Sequence, residues 1–368
     1  MAAPISLGRR RKLLLRNDEL LVIDRFGFNL FFHYDFIMKK FLLAVILVCT
    51  TRCLVAQSFE SKHFTIQKLA DGVYAAIHKN GGYAICNAGI IDLGDATLIF
   101  DTFISPEAAE DLKKAAQQIT GHAVRYVVDS HFHDDHIQGN QVFEGATIIS
   151  TERTRELIEA NEPKAIESDK KGVAQALQEW ENKKPDATDV HAQEEKKMWV
   201  GYYEAIQKAL PTLKMVLPNV TFSDSMMIHG SQRSVQLLCY GAAHTESDLF
   251  LYLPAEHMAF LGDILFVNNQ PWLGDGDVTK WMHYLDRIAK MDLKVLVPGH
   301  GPIGDTSSIR VLQQYMQMVI HTAQSDIEKG TSPENDTALK VPAPYENWLL
   351  SDFFVPNAIF VYDEIRKK

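Results

Sequence analysis

The sequence predicts an α/β (α+β) core in which β-sheets are covered by helices, with a helical insertion and a helical C-terminal extension. Three observations predict this class. Apolar, β-branched runs bounded by Gly and Asp turns alternate with amphipathic helical segments, as in sheets with helices on the outside. A charged tract without strand signals interrupts that order. The chain has 368 residues and 46% hydrophobic content, enough to bury one large core.

The N-terminal residues 1–56 are predicted to lie outside this core. Residues 38–40 are a basic start, residues 41–49 form an apolar run, and Ala56 offers a small residue for cleavage. This pattern is typical of a secretory signal peptide over 38–56, and its apolar run is too short to span a bilayer. We interpret residues 1–37 as a mis-called upstream extension; a long basic region or a membrane anchor is the alternative. The protein is expected to be periplasmic or secreted, without a stable membrane anchor after signal cleavage.

The charge balance indicates the class of partner. Residues 1–56 carry nine Lys or Arg and four Asp or Glu, a net of +5, so the remainder carries about −15 because the whole chain carries −10. Nucleic-acid binding requires a basic surface, so we expect a small-molecule substrate and no nucleic acid. Cys86 and Cys239 lie far apart in strand-like runs, which predicts two buried thiols rather than a disulfide.

The first half of the core, within a predicted domain over residues 57–302, begins with strands and tight turns. Strand signals over residues 64–101 end at Asp101. Ser105 as N-cap and Pro106 at the first helical position then predict a helix that ends before Gly121. A further apolar run at residues 124–128 predicts a buried strand.

Residues 152–215 are predicted to be a helical insertion. Charged, helix-favouring residues dominate here, with a break at Pro185. Trp199, Tyr203 and Ile206 then recur at helical spacing. Two interpretations stay open: this stripe packs on the core, or Trp199 and Tyr203, with Tyr202, overhang a site as part of a substrate lid.

The second half repeats the pattern of the first. Strand signals return at residues 234–240, followed by a hairpin-like pair that ends at Asp263. A helix over about residues 277–290 then leads to a strand before His300. Two similar halves are therefore predicted to face one another. Residues 303–368 are predicted to be a helical C-terminal extension without any signal for a site.

The chemistry is concentrated in residues 130–136, Ser-His-Phe-His-Asp-Asp-His, directly after a predicted strand. At strand-like spacing, His131 and His133 point the same way, because side chains alternate with a period of two. They can therefore bind one ion together. Asp135 and His136 are adjacent and diverge, so they can serve a second centre.

The His-x-His-x-Asp-His pattern at residues 131–136 resembles the signature of the metallo-β-lactamase superfamily. Gly-x-x-His-Thr at His244, Gly-Asp at Asp263 and Pro-Gly-His at His300 follow in the order of that family. The resemblance covers residues 64–302. It implies a four-layer αβ/βα sandwich with metals at one edge.

The resemblance also implies a ligand set. His131, His133 and His244 would bind one metal, Asp135, His136 and His300 would bind another, and Asp263 would bridge the two. Asp101 fits the family's first motif, and we expect it to hold the ligand loop by accepting hydrogen bonds. Two Zn²⁺ ions suit these ligands, although imidazole also suits iron.

By the same resemblance, the protein is an exported metal-dependent hydrolase in which a metal-bound hydroxide opens an amide or ester-like bond, β-lactam-type amides included. Asp135 and Asp263 would have the catalytic roles, with Asp135 orienting the hydroxide. Well-known two-zinc β-lactamases have Cys at position 263 and often Lys where Phe266 stands, so a thioester or lactone hydrolase similar to glyoxalase II is an alternative. An iron-dependent sulfur oxygenase is a further one. Trp199, Tyr203 and Phe266 are predicted to contact the substrate.

Overall fold

A computed structural model describes residues 59–336 and 339–367, together with two short strands near the N-terminus. These strands, β1 (Leu15–Arg16) and β2 (Glu19–Leu20), pair in antiparallel fashion. The predicted signal peptide at 38–56 lies outside the described residues, as does nearly all of the predicted extension at 1–37. Met1–Gln57 and Ser58–Lys368 form separate compact units. The predicted division of the second unit at residue 302 stays a prediction.

Seven strands form the first sheet, in chain order. They are β3 (Phe64–Ala70), β4 (Val73–His78), β5 (Ala88–Asp92), β6 (Thr97–Phe100), β7 (Val124–Val128), β8 (Thr147–Thr151) and β9 (Val220–Phe222). The pairs from β3 to β6 are antiparallel, and those from β6 to β9 are parallel. The parallel pairs follow from the longer connections between these strands, because parallel neighbours require a crossover.

Five strands form the second sheet, again in chain order. They are β10 (Ser225–His229), β11 (Ser234–Cys239), β12 (Leu249–Leu253), β13 (Met258–Phe266) and β14 (Val295–His300). Strands β12 and β13 are the predicted hairpin. The expectation that this hairpin ends at Asp263 is wrong, since β13 continues to Phe266. Gly262 adopts φ +51°, and a register shift there lets the strand bend and still pair with β14.

Besides three short 3₁₀ helices, the described part of the chain also contains seven α-helices. They are α1 (Pro106–Thr120), α2 (Asp134–Ile137), α3 (Glu152–Asn182), α4 (Val190–Ala209), α5 (Val278–Ile288), α6 (Thr306–Lys329) and α7 (Phe354–Arg366). The predicted caps of α1 are confirmed: the Ser105 hydroxyl accepts a hydrogen bond from the Ala108 amide, and Gly121 adopts φ +73°. Helices α3 and α4 occupy the predicted insertion, and Pro185 lies in the break between them.

Alternating side chains divide the core into layers. On β5, Ile90 packs with residues of α1, whereas its neighbour Ile91 packs between the two sheets. On β13, Phe260 packs between the sheets, whereas Leu261 packs with the helices α5 and α6. The period of two in each strand thus gives the order helix, sheet, sheet, helix, which confirms the four-layer sandwich.

Two further expectations can be compared with the described residues. Cys86 and Cys239 are both buried and free, which confirms the prediction of separate thiols. None of the helices in the described part of the chain is long and apolar enough to cross a membrane.

Candidate metal centre

The histidine cluster lies where strand β7 ends. Residues 129–133 form a loop between β7 and the short helix α2. His131 and His136 are fully buried there, although histidine is usually at least partly exposed. Because these side chains are shielded from water, each of their imidazole nitrogens needs a hydrogen-bond partner or a metal ion inside the protein.

The first group of side chains is formed by His131, His133, His244 and Asp263, whose ligating atoms lie within 4.8 Å of one another. His133 Nδ1 and His244 Nε2 are 2.9 Å apart. Asp263 Oδ2 lies 3.3 Å from His244 Nε2 and 3.9 Å from His131 Nε2. Two of these imidazoles, His131 and His133, come from the loop between β7 and α2, whereas His244 comes from the loop between β11 and β12, more than a hundred residues later.

The second group is formed by Asp135, His136 and His300, whose ligating atoms also lie within 4.8 Å of one another. Asp135 Oδ2 lies 3.2 Å from His300 Nε2 and 3.5 Å from His136 Nε2. Asp135 comes from α2, and His300 is the last residue of β14. The two sheets therefore contribute to one group.

Asp263 contacts both groups. Its Oδ1 lies 3.1 Å from His136 Nε2, and its Oδ2 lies 3.4 Å from His300 Nε2. The carboxylate is held close to the neighbouring strand, since a Cβ added at Gly299 would stand 1.9 Å from Asp263 Oδ1. This is the position expected of a bridging ligand, and Gly299 makes the approach possible.

Asp101 fixes the orientation of the buried imidazoles. Its carboxylate accepts hydrogen bonds from the Ser130 amide at 2.8 Å, the Ser130 hydroxyl at 2.9 Å and His136 Nδ1 at 2.8 Å. The Ser130 hydroxyl is also 2.9 Å from His131 Nδ1. Because Nδ1 of each imidazole is used in this way, Nε2 of His131 and of His136 is left for the interior of the site.

Asp275 fixes the orientation of His133 in a similar way, and the sequence analysis did not identify this residue. Its Oδ2 lies 3.1 Å from His133 Nε2 and accepts a hydrogen bond from Trp272 Nε1 at 2.8 Å. His133 thus presents Nδ1 to the first group, unlike His131. Asp275 sits in a Gly-Asp-Gly turn, a pattern that is common in loops and carries no signal of this contact.

The donors in this region fit a pair of metal ions. Nε2 of His131 and Nε2 of His136 are buried, and neither has a hydrogen-bond partner in the part of the chain that the structure describes. A ligated ion would satisfy both, and imidazole with carboxylate is a donor set that suits zinc. These residues would hold the ions in the two groups described above, with Asp263 between them.

The electrostatics of the two groups differ. Burial holds the pKa of His131 well below its ordinary value and lowers that of His244 to about 3, so both are neutral at pH 7. Burial also lowers the pKa of His300, but the carboxylates of Asp263 and Asp135 outweigh it and raise that pKa to about 9. In the metal-free protein, His300 is therefore protonated at pH 7 and must lose a proton to become a ligand.

A cavity of about 450 Å³ opens beside both groups. The three residues predicted to contact substrate, Trp199, Tyr203 and Phe266, all line it. Trp199 is also buried in the core, so both interpretations of the aromatic stripe describe part of its environment. Phe266 packs between the two groups, with its ring centroid 5.6 Å from that of His244 and 5.1 Å from that of His300.

Sequence reasoning missed part of the cavity wall. Leu350 and Phe353, from the C-terminal extension, line the cavity together with Trp272 from the loop after β13. The sequence carried no signal of a site in residues 303–368, yet Leu350 and Phe353 lie at this cavity. An apolar residue in a terminal segment has the same local pattern whether it packs on the core or on a cavity, so no signal distinguishes these residues.

Comparison with known proteins places this arrangement among known folds. The family model described as the metallo-β-lactamase superfamily matches residues 81–300. The chain is 33% identical to the metallo-β-lactamase type 2 of Bacteroides fragilis over 125 residues. This match spans 32% of the present chain and 47% of that curated relative, about half of its length. A solved metallo-β-lactamase from Pontibacter korlensis matches with a TM-score of 0.50 at 18% identity, over 69% of this chain and 99% of the other. At this identity, the structural match concerns the fold alone.

Proposed function

Because the chain belongs to the metallo-β-lactamase superfamily of hydrolases, we propose that it is an exported, two-zinc hydrolase that opens an amide or ester-like bond. The observation that carries this proposal is Asp263, whose carboxylate contacts imidazoles of both groups. Ions bound in both groups would lower the pKa of a shared water to about 7 and polarise the scissile carbonyl.

The protein's own residues supply position and exclusion of water. His131 and His136 are held by Asp101 and Ser130, so the donor atoms need little reorganisation when a substrate arrives. Asp135, on the cavity wall beside His300, is placed to orient the attacking hydroxide. Phe266 and the aromatic residues of α4 reduce access of bulk water to the same cavity.

Two kinds of scissile bond are candidates, and the residue at position 263 helps to weigh them. The name of the similar protein from Bacteroides fragilis favours a cyclic amide of the β-lactam type. Asp263 in contact with both groups favours the second candidate, a thioester or lactone hydrolase. Phe266, where a lysine would bind a substrate carboxylate, is consistent with that candidate, because it is buried between two imidazoles.

Location and partners are part of the proposal. The pattern over residues 38–56 supports export to the periplasm or the exterior, and the acidic charge of the remaining chain supports a small-molecule substrate. Nothing about the proposed chemistry requires a nucleic acid.

The test is a substrate panel combined with metal analysis. The purified protein should contain close to two zinc ions and should hydrolyse at least one of a chromogenic cephalosporin, a thioester and a lactone. A chelator should abolish turnover, and added zinc should restore it. Iron in place of zinc, with oxygen consumption on a thiol substrate, would instead support the iron oxygenase alternative.

A matched pair of variants tests the role of the metal site. His131→Ala should lose at least about a hundredfold in kcat/KM, since it removes a buried ligand. His321→Ala, an exposed histidine on α6, is the control and should keep wild-type activity. Equal activity in both variants would contradict the proposed mechanism.

A further inference from the structure

The cavity beside the metal groups has an aromatic wall opposite the ligands. Trp199 and Tyr203, on α4, have ring centroids 6.0 Å apart and stack. Phe353 lies 5.8 Å from Trp199 and 5.5 Å from Trp272, edge to face in both cases. The insertion, the C-terminal extension and the loop after β13 thus form one continuous aromatic surface.

Three carboxylates that belong to neither metal group also line this cavity, and one of them, Asp275, is hydrogen-bonded to His133. Asp134 lies on α2 beside the ligand Asp135, and Asp169 lies on α3 of the insertion. Asp169 Oδ2 is shielded from solvent and has no hydrogen-bond partner among the described residues. Burial raises the pKa of Asp169, and no positive group offsets this effect. Asp169 is therefore a half-buried acid that lacks a counter-charge within the described part of the chain.

Apart from the histidines of the metal groups, the described residues that line the cavity offer no positive side chain. Among the described residues that line it, none is Lys or Arg. A substrate carboxylate on the side of α3 and α4 would therefore meet aromatic faces and negative charge. Aromatic faces and carboxylates instead attract cations, the faces through their quadrupole and the carboxylates through charge.

We propose that the enzyme selects substrates that carry a cationic ammonium group, which binds between the Trp199–Tyr203 face and Asp169. This inference rests on the proposed hydrolase function and adds the class of substrate. The scissile bond would lie at the metal groups while the ammonium group lies at the wall formed by the insertion. The helical insertion then has a role in specificity.

The test compares isosteric probes with the zinc-loaded full protein. Three 4-nitrophenyl esters are used, whose acyl chains end in a trimethylammonium group, a tert-butyl group or a carboxylate. The trimethylammonium ester should have the highest kcat/KM, by roughly tenfold over the tert-butyl ester, with the difference in KM. Equal values, or a preference for the carboxylate, would overturn the inference.

Two variants assign the preference to the wall. Asp169→Asn should bring the ratio of kcat/KM for the trimethylammonium ester to kcat/KM for the tert-butyl ester to within about threefold of one. Glu167→Gln removes the same charge from an exposed position on the same helix and should keep the wild-type ratio. A ratio that survives in Asp169→Asn would refute the role of this residue.

A binding measurement separates this inference from the proposed function. Choline and its neutral isostere 3,3-dimethylbutan-1-ol are titrated against tryptophan fluorescence, which requires no turnover and depends only on the folded wild-type protein. Tighter binding of choline by roughly tenfold supports the inference even if no ester is hydrolysed. Hydrolysis of the substrate panel without any preference for choline would refute the inference and leave the proposed function standing.

Discussion

Replacing Asp101 by Asn tests how the buried imidazoles are held ready for metal. The carboxylate of Asp101 accepts three hydrogen bonds, and its Oδ2 accepts those from the Ser130 hydroxyl and from His136 Nδ1. An Asn amide can keep the bond to the Ser130 main chain, but its NH₂ group then faces His136. His136 would have to move its proton from Nδ1 to Nε2, the nitrogen directed at Asp263.

The expected magnitude follows from the contacts that are lost. Removing a group that orients a ligand histidine costs about 10–100-fold in metal affinity, or about 1.4–2.7 kcal/mol. The loss should fall on the second group, which contains His136. His131, in the first group, keeps the Ser130 hydroxyl as a partner for Nδ1, so we expect less than about a threefold change there.

The assay is a zinc titration in competition with a chromophoric chelator, fitted to two dissociation constants. Asp129→Asn is the matched control, because Asp129 is equally buried but hydrogen-bonds Asn140 rather than a histidine. Thermal melting of the metal-free variants verifies that both fold. Unchanged zinc affinity in Asp101→Asn, or an equal loss at both sites, would refute the reasoning.

Three other predictions follow from the same geometry. Because Asp263 and Asp135 raise the pKa of His300 to about 9, metal binding below pH 9 should release at least one proton. The apparent zinc affinity should therefore fall about tenfold or more for each pH unit by which the pH decreases. A zinc affinity independent of pH between 6 and 8 would contradict this prediction. Gly299→Ala should displace Asp263 and lower the zinc content measured by elemental analysis, whereas full zinc occupancy would show that the strand accommodates the methyl group. Phe266→Ala should lower the free energy of unfolding by about 3–5 kcal/mol, because the ring is buried between two histidines. A denaturant titration measures this change, and a loss below about 1 kcal/mol would contradict the packing.

Local patterns predicted much of the fold and the composition of the site. Ser105, Pro106 and Gly121 determine where α1 begins and ends through contacts within a few residues, so sequence reasoning finds them. The same holds for the hairpin of β12 and β13, whose two apolar runs flank the turn at residues 254–256. The end of β13 was placed too early, because pairing with β14 extends it beyond Gly262. That pairing is a tertiary contact.

Six of the seven predicted ligands lie in the two groups that the family resemblance implied, and Asp263, implied as a bridge, contacts both groups; the assignment of all seven as ligands stays a prediction until metal is measured. Asp275, Trp272 and Phe353 were missed for a common reason. Each reaches the site from a loop or a terminal segment, and its role depends on contacts across more than a hundred residues or on the packing of a separate element. No periodicity records such contacts.

The sequence alone determined that this protein has a histidine and aspartate cluster at a strand end, because the His-x-His-x-Asp-His spacing is local. Only the tertiary structure decided how those side chains are oriented and what surrounds them. Asp101 directs His136 Nε2 inward, Asp275 directs His133 Nδ1 inward, and Asp169 places a carboxyl group on the cavity wall. The physical reason is that hydrogen bonds and cavity walls form between residues brought together by packing, whereas spacing along the chain reports only which residues share a strand or a turn.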